Sequence, residues 1–250
     1  IITMAVFVVT AYLVPQLNGL LALYYVNSNR FIPTQFLTYM FMHADGWHLF
    51  SNMFGLFIFG PLLEQFLGPK KILTLWMVCG VGSGLLYSGY TAFQMNKLDN
   101  KISEFYEEPS PELFNRFVIE NRHLFKPGVF DFVDAYSRNP SDKAMIQRAK
   151  ENLTAVRDIQ ANVPMVGASG AIFGLLAAFA ILFPNTELML LFPPIPIKAK
   201  WLIGGYFVFE VYSSFQNNAG DNVAHLAHVG GAIVGAILVL IWRRTGKNFY

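Results

Sequence analysis

Charge is what this chain has least of. Only 14% of its 250 residues are Asp, Glu, Lys or Arg, and the formal net charge is +2, where a soluble domain carries about 25% charged residues. Hydrophobic residues make up 54%, Phe alone occurs 24 times, and mean hydropathy is +0.41. That balance excludes an ordinary soluble domain. It also gives no electrostatic footing for nucleic acid, because lysines and arginines at the ends of membrane helices account for the small excess. Cysteine is nearly absent: Cys79 stands alone inside an apolar run, so neither disulfides nor a cysteine-based metal site holds the fold. An initiating methionine is missing as well, which implies sequence before Ile1. Residues 1–23 lack the basic start and small-residue cleavage site of a signal peptide and read as a membrane span.

What is present is a series of apolar runs, each needing about 20 residues to cross the hydrocarbon core. They predict an all-α bundle of six transmembrane helices: Thr3 to Tyr25, His48 to Phe66, Ile72 to Tyr90, Val166 to Phe183, Trp201 to Phe215 and Val223 to Trp242. Residues 1–250 read as a single membrane domain carrying one insert. That insert, 91–163, holds 10 Lys or Arg and 11 Asp or Glu, with prolines at 109, 111, 127 and 140. No window in it spans a bilayer. Within it Met145, Ile146, Ala149, Leu153, Val156 and Ile159 share one face, predicting an amphipathic helix over 141–160 capped by Ser141 or Asn139. With both termini cytosolic, the cytosolic side holds Lys70, Lys71, Lys198, Lys200, Arg243, Arg244 and Lys247 against Glu187. Arg30 and the long insert then lie outside, in the sense that the positive-inside bias demands.

Two polar groups stand out from the apolar background. Gly167-Ala-Ser169-Gly170 opens the fourth run, and small neighbours, with Ala171 and Gly174, leave the serine uncrowded. Ala224-His225-Leu-Ala-His228-Val-Gly-Gly231 and Gly235 open the sixth. A serine and a histidine on membrane segments suggest a nucleophile and its base. His48 and Asn52, four apart on one helical face, open the second run. The topology puts all four at similar depth near the outer surface. The histidine pair with Asp221 suggests metal only weakly, since a hydrolytic zinc takes three protein ligands and no third of fixed geometry is visible; neither metal nor cofactor is expected.

In this order, the His43…His48-x-x-x-Asn52 stretch, Gly60-x-x-x-Glu64-x-x-x-Gly68, Gly167-x-Ser169-Gly170 and the terminal Ala-His-x-Gly-Gly run resemble the rhomboid intramembrane serine proteases over about residues 36–90 and 164–242. The resemblance implies a Ser–His dyad with no acidic third member. Ser169 takes the nucleophile's place. Family members carry glycines three and seven residues after the catalytic histidine; His228 has Gly231 and Gly235 there, whereas His225 has His228 and Ala232. His228 is therefore the implied general base and acid, and His225 a structural neighbour. The resemblance further implies stacking of Phe173 on His228, an oxyanion site of His48, Asn52 and the Ser169 backbone N–H, supporting roles for Gly167 and Gly170, and a mobile gate over Trp201 to Phe215. Single-span membrane proteins would be substrates, cut near the outer end of their spans, with the lipid bilayer as the other partner. Outside the dyad, His43 reads as a loop hydrogen-bonding group and Glu64 as a helix-end group. Thr34-Gln35 stands where bacterial members often carry Trp-Arg, and the insert is long for the connection it occupies. It either restricts access, binds part of a substrate or partner, or is tolerated. Topology suits a bacterial inner membrane with the active site opening outward. The alternative is a non-proteolytic relative that binds membrane helices and assists their turnover or trafficking.

Overall fold

The structure, a computed structural model, describes residues 1–190, 193–216 and 224–245. It is mostly helical and divides into two compact units. One comprises Ile1–Tyr24, Arg30–Gly89 and the described part of Pro164–Tyr250; the other comprises Tyr25–Asn29 and Tyr90–Val163. The insert expected inside a single domain thus forms most of a unit of its own.

The first unit begins with α1 (Ile2–Val8), which continues as a π-helical turn to Leu13 and resumes after Val14 as a 3-10 turn, Pro15–Leu17, and α2 (Asn18–Leu21). The two arms meet at 116°, so the run expected to span from Thr3 to Tyr25 is broken. Pro15 cannot donate to the ladder and disfavours a helical Val14, which sits at φ −138°, ψ 73°. Asn18 Nδ2 donates to the Thr10 carbonyl near the break (3.2 Å). Beyond it, α3 (Gln35–Thr38) starts on a buried glutamine. Gln35 Nε2 donates to the carbonyls of Leu20 and Arg30, and its Oε1 accepts the Tyr24 N–H. One side chain therefore ties three points of an irregular segment together.

Among the described residues three helices are long and apolar enough to cross a membrane: α4 (Gly46–Leu67), α5 (Pro69–Glu107) and α11 (His225–Thr245). Asp45 caps α4 by accepting the His48 N–H at 2.8 Å, and Gly68, at φ 81°, ends it where a side chain would be strained. α5 does not stop at Tyr90 as expected but continues to Glu107; what changes at Tyr90 is polarity, not backbone. α9 (Ser169–Leu182) and α10 (Ala199–Ser214) are shorter. Between them β1 (Glu187–Met189) pairs antiparallel with β2 (Pro196–Lys198), in the stretch read as a turn; Phe192 lies outside the described residues. α9 is the centre of this unit, buried from Gly170 through Leu176 and packed by α4, α10 and α11. Some aromatics on α4 point away from the core, Trp47 at 73% and Phe57 at 74% exposed, while Phe59 packs edge-on against Phe179. A membrane resolves that exposure, since hydrocarbon is as good a solvent for these rings as a protein core.

The second unit holds the end of α5 together with α6 (Pro111–Glu120), α7 (Val129–Arg138) and α8 (Lys143–Ala161). α6 is capped by Ser110, which accepts the Leu113 N–H. α8 is the expected amphipathic helix displaced by two residues at its start, and its cap is Asp142, which accepts the N–H groups of Ala144 and Met145, rather than Ser141 or Asn139. Ala149, Leu153 and Val156 are buried as expected, with Met145 and Ile146 packed beside them, while Ile159 is exposed. They close a core around Phe105, Phe114, Phe117, Phe132 and Tyr136. Charges stay on the rim as ion pairs: Arg157 with Asp99 (2.7 Å), Arg116 with Glu104 (2.8 Å), and Lys101 with Glu120.

Candidate active site

The site is set by how closely two helices approach. A Cβ added at Gly231 of α11 would lie 1.8 Å from the Gly170 carbonyl oxygen of α9, and one at Gly235 would lie 2.4 Å from that of Gly174. Both distances are below any real contact, so only glycine permits this packing. Ser169 precedes Gly170 by one residue and His228 precedes Gly231 by about one turn, so the glycine contacts bring the two side chains together. His228 Nε2 lies 2.8 Å from Ser169 Oγ. A third helix fixes the depth: Ser83 Oγ of α5 donates to the Ala227 carbonyl at 2.6 Å.

Phe173, Gly167 and His48 border this pair, and Asn52 lies one turn beyond His48. Phe173 lies one turn beyond Ser169, and its ring stacks on His228 with centroids 4.3 Å apart and planes 8° from parallel. Gly167 adopts φ 123° and donates its N–H to the Tyr39 carbonyl at 3.0 Å, pinning the start of α9 to the segment before α4. A Cβ there would meet His48 Nε2 at 2.7 Å and would lie 3.7 Å from Ser169 Oγ. His48 and the serine hydroxyl therefore border the same small space. His48 Nδ1 accepts a long hydrogen bond from the Ala44 N–H (3.4 Å), which assigns the ring proton of the neutral form to Nε2, the edge beside Gly167. Asn52 is buried; its Nδ2 donates to the His48 carbonyl at 2.9 Å, which leaves one amide N–H for another acceptor. Ser169 is the first residue of α9, so its backbone N–H is one of the four that a helix start leaves without an intrahelical partner.

His43 is buried: neither ring nitrogen makes a hydrogen bond of good geometry among the described residues, the Phe41 backbone is the polar group that interacts with it, and its ring packs edge-on against His48 with centroids 4.9 Å apart. Burial, reinforced by the neighbouring His48, pushes its pKa down to about 4, so this ring is neutral near pH 7. Glu64, near the end of α4, is exposed, and its carbonyl accepts the Gly68 N–H.

The largest departure is acidic. No third member was expected, and Asp221 lies outside the described residues. Yet Glu210 of α10 directs Oε2 at His228 Nδ1 (2.9 Å) and at His225 Nδ1 (2.6 Å), and the residue is only 2% exposed. His225 thus reaches the site through this carboxylate. The premise of the metal argument changes too: Glu210, His225 and His228 offer three ligand atoms within 4.8 Å of one another, the number of protein ligands in a hydrolytic zinc site. With Glu210 ionised, its oxygen accepts only, and each Nδ1 donates to it.

The geometry defines a class first: a helical membrane protein with a serine and a buried histidine at proton-transfer distance. A profile of the Rhomboid domain matches residues 31–96 and 145–245, and the chain belongs to the rhomboid family, which includes intramembrane serine proteases. It is 26% identical over 212 residues to the RHOMBOID-like protein 12, mitochondrial, of Arabidopsis thaliana, covering 85% of this chain and 46% of that one. It is 23% identical over 202 residues to Rhomboid protein 1, mitochondrial, of Saccharomyces cerevisiae (79% and 38% covered). Against the Rhomboid protease AarA of Providencia stuartii the identity is 23% over 210 residues (81% and 53% covered). The chain spans about half the length of these curated relatives. Since mitochondrial proteins stand beside a bacterial one, a membrane protein is supported and the expected bacterial inner membrane is not.

Proposed function

We propose that the chain is an intramembrane serine endopeptidase that cuts single-span membrane proteins near the extracytoplasmic end of the transmembrane segment. One observation carries the reading: a serine hydroxyl 2.8 Å from the Nε2 of a buried histidine whose ring is stacked on Phe173. As the Ser169 oxygen attacks a peptide carbonyl, its proton passes to His228 Nε2. The carbon–nitrogen bond then breaks, and His228 returns the proton to the leaving amine. Water, deprotonated by the same nitrogen, hydrolyses the acyl-enzyme and regenerates the serine. The negative oxygen of each tetrahedral intermediate is held by the Ser169 N–H, with His48 Nε2–H and the remaining Asn52 amide N–H as its other donors, and the positive end of α9 adds to them.

The reading places six spans in the bilayer with both termini on the positive, cytosolic side. At about 1.5 Å per residue, α9 with its 14 residues falls short of the ~30 Å core. Because other helices surround it, its ends need not face lipid, which is the condition under which short helices are tolerated at membrane depth.

The test is cleavage of a single-span reporter in liposomes by wild type, Ser169→Ala and His228→Ala. Wild type is expected to cut and both variants to lose detectable activity; cutting that persists in Ser169→Ala overturns the mechanism. If wild type leaves the reporter intact, a serine-directed fluorophosphonate decides. Labelling of wild type but not Ser169→Ala identifies an enzyme given the wrong reporter. Absence of both activities points to a non-proteolytic, helix-binding protein.

A further inference from the structure

We propose that Glu210 is the positioning residue for His228, and that His225 holds Glu210 in place. The proposal rests on the protease reading for its kinetic consequence but stands on its own geometry. Glu210 Oε2 lies 2.9 Å from His228 Nδ1 and 2.6 Å from His225 Nδ1. An ionised carboxylate only accepts hydrogen bonds, so both Nδ1 atoms carry hydrogen in this arrangement. A neutral His228 with its proton on Nδ1 has its lone pair on Nε2, the atom 2.8 Å from Ser169 Oγ. The carboxylate thereby selects the one tautomer that can take the serine proton. Phe173 cannot do this: it orients the ring plane by stacking and has no hydrogen-bonding group. Once His228 becomes an imidazolium, the buried negative charge lies against it, stabilising the charge pair as the intermediate forms.

His225 supplies what a lone glutamate lacks. Glu210 sits on α10 and both histidines on α11, so a carboxylate held at one point could rotate away from His228. The second Nδ1–H on the same oxygen removes that freedom and satisfies an acceptor that is almost fully buried. This also explains two histidines three apart: one faces the serine, and the other faces the residue that orients the first. A merely structural glutamate, stitching α10 to α11, would have no need of charge. An amide there that turns its NH2 to the ring donates to Nδ1 and moves the His228 proton to Nε2, which a carboxylate cannot do.

The experiment uses the full chain labelled with ¹⁵N-histidine in detergent micelles, with the His228 signal assigned by its loss in His228→Ala. Wild type is expected to show a hydrogen-bonded Nδ1–H on His228. Glu210→Gln is expected to lose it, and Glu210→Asp to keep it. In the reporter assay Glu210→Gln is expected to lower kcat by about 10³-fold with KM changed less than about twofold, by analogy with the ~10⁴ loss when a triad aspartate in another protease becomes asparagine. Wild-type kcat in Glu210→Gln, beside an active wild type, overturns the proposal while the protease reading stands. If wild type neither cuts nor labels, the protease reading falls and the NMR tautomer still decides this one. Should Glu210→Gln fail to fold, the decision passes to Ser169→Ala: an Nε2–H tautomer on its His228 overturns the proposal. Stoichiometric zinc in purified wild type, lost in Glu210→Gln, also overturns it, because the three side chains would then be ligands rather than a hydrogen-bonded row.

Discussion

The two units fail in opposite ways. In the first, the helices that matter meet through missing side chains: Gly231 against Gly170 and Gly235 against Gly174 leave no room for a methyl group, while Trp47 and Phe57 turn outward. In the second, helices meet through large ones: Phe105, Phe114, Phe117, Phe132 and Tyr136 fill the centre and charges face out. The contrast follows from the solvent. Apolar burial drives the second unit together, but hydrocarbon removes that drive from membrane helices, which must gain from close backbone contact instead. One region is intolerant of added volume, and the other of volume removed.

Gly231→Ala is the strongest way to break this comparison. With a Cβ 1.8 Å from a carbonyl oxygen, α9 and α11 must separate, and a displacement near 1 Å costs about 10²-fold in rate; reporter cleavage and fluorophosphonate labelling should fall together. Wild-type labelling in Gly231→Ala would show that the glycine contact does not set the Ser169–His228 distance. In the second unit, Phe114→Ala should cost about 3–5 kcal/mol, read as faster hydrogen exchange across α6 and α7. An equally large loss from a small-to-large change at Ala149, with little from Phe114→Ala, would erase the contrast. A pH effect should belong to the first unit. His43 ionises near pH 4 when folded and near 6.5 when unfolded. Between those values the unfolded state binds more protons, so the contribution is complete above about 6.5 and is lost as pH falls toward 4. His43→Asn should flatten the thermal-stability slope over that window; an unchanged slope would remove His43 as its source. The smallest effect is at the rim. Arg157 and Asp99 are about one-third exposed, so Asp99→Asn should cost only ~0.2–1 kcal/mol, shrinking further in high salt.

Local signals in the sequence located what depends on spacing. The resemblance chose His228 over His225 by the family's glycines three and seven residues on, and the structure sets His228 Nε2 2.8 Å from Ser169 Oγ. The amphipathic face of α8 was legible from spacing. The preceding helices were missed, although Ser110-Pro111-Glu112 carries the start signal of cap, proline and acid. The run from Thr3 to Tyr25 is long enough to span, but Pro15 breaks it. Glu210 was missed for a different reason. It lies 15 residues before His225, and no local period connects a carboxylate on α10 with imidazoles on α11. One signal was available: an acid inside a membrane span is costly enough to imply a function, and the run from Trp201 to Phe215 contains only this one.

Gly167 adds a consequence for how sequences of this kind diverge. Its φ of 123° demands the absence of a side chain, and a Cβ built there would also lie 2.7 Å from His48 Nε2. A change at position 167 would therefore disturb the start of α9 while leaving Ser169, His228 and Glu210 intact, so the presence of these three side chains is not by itself a sign that the site is assembled.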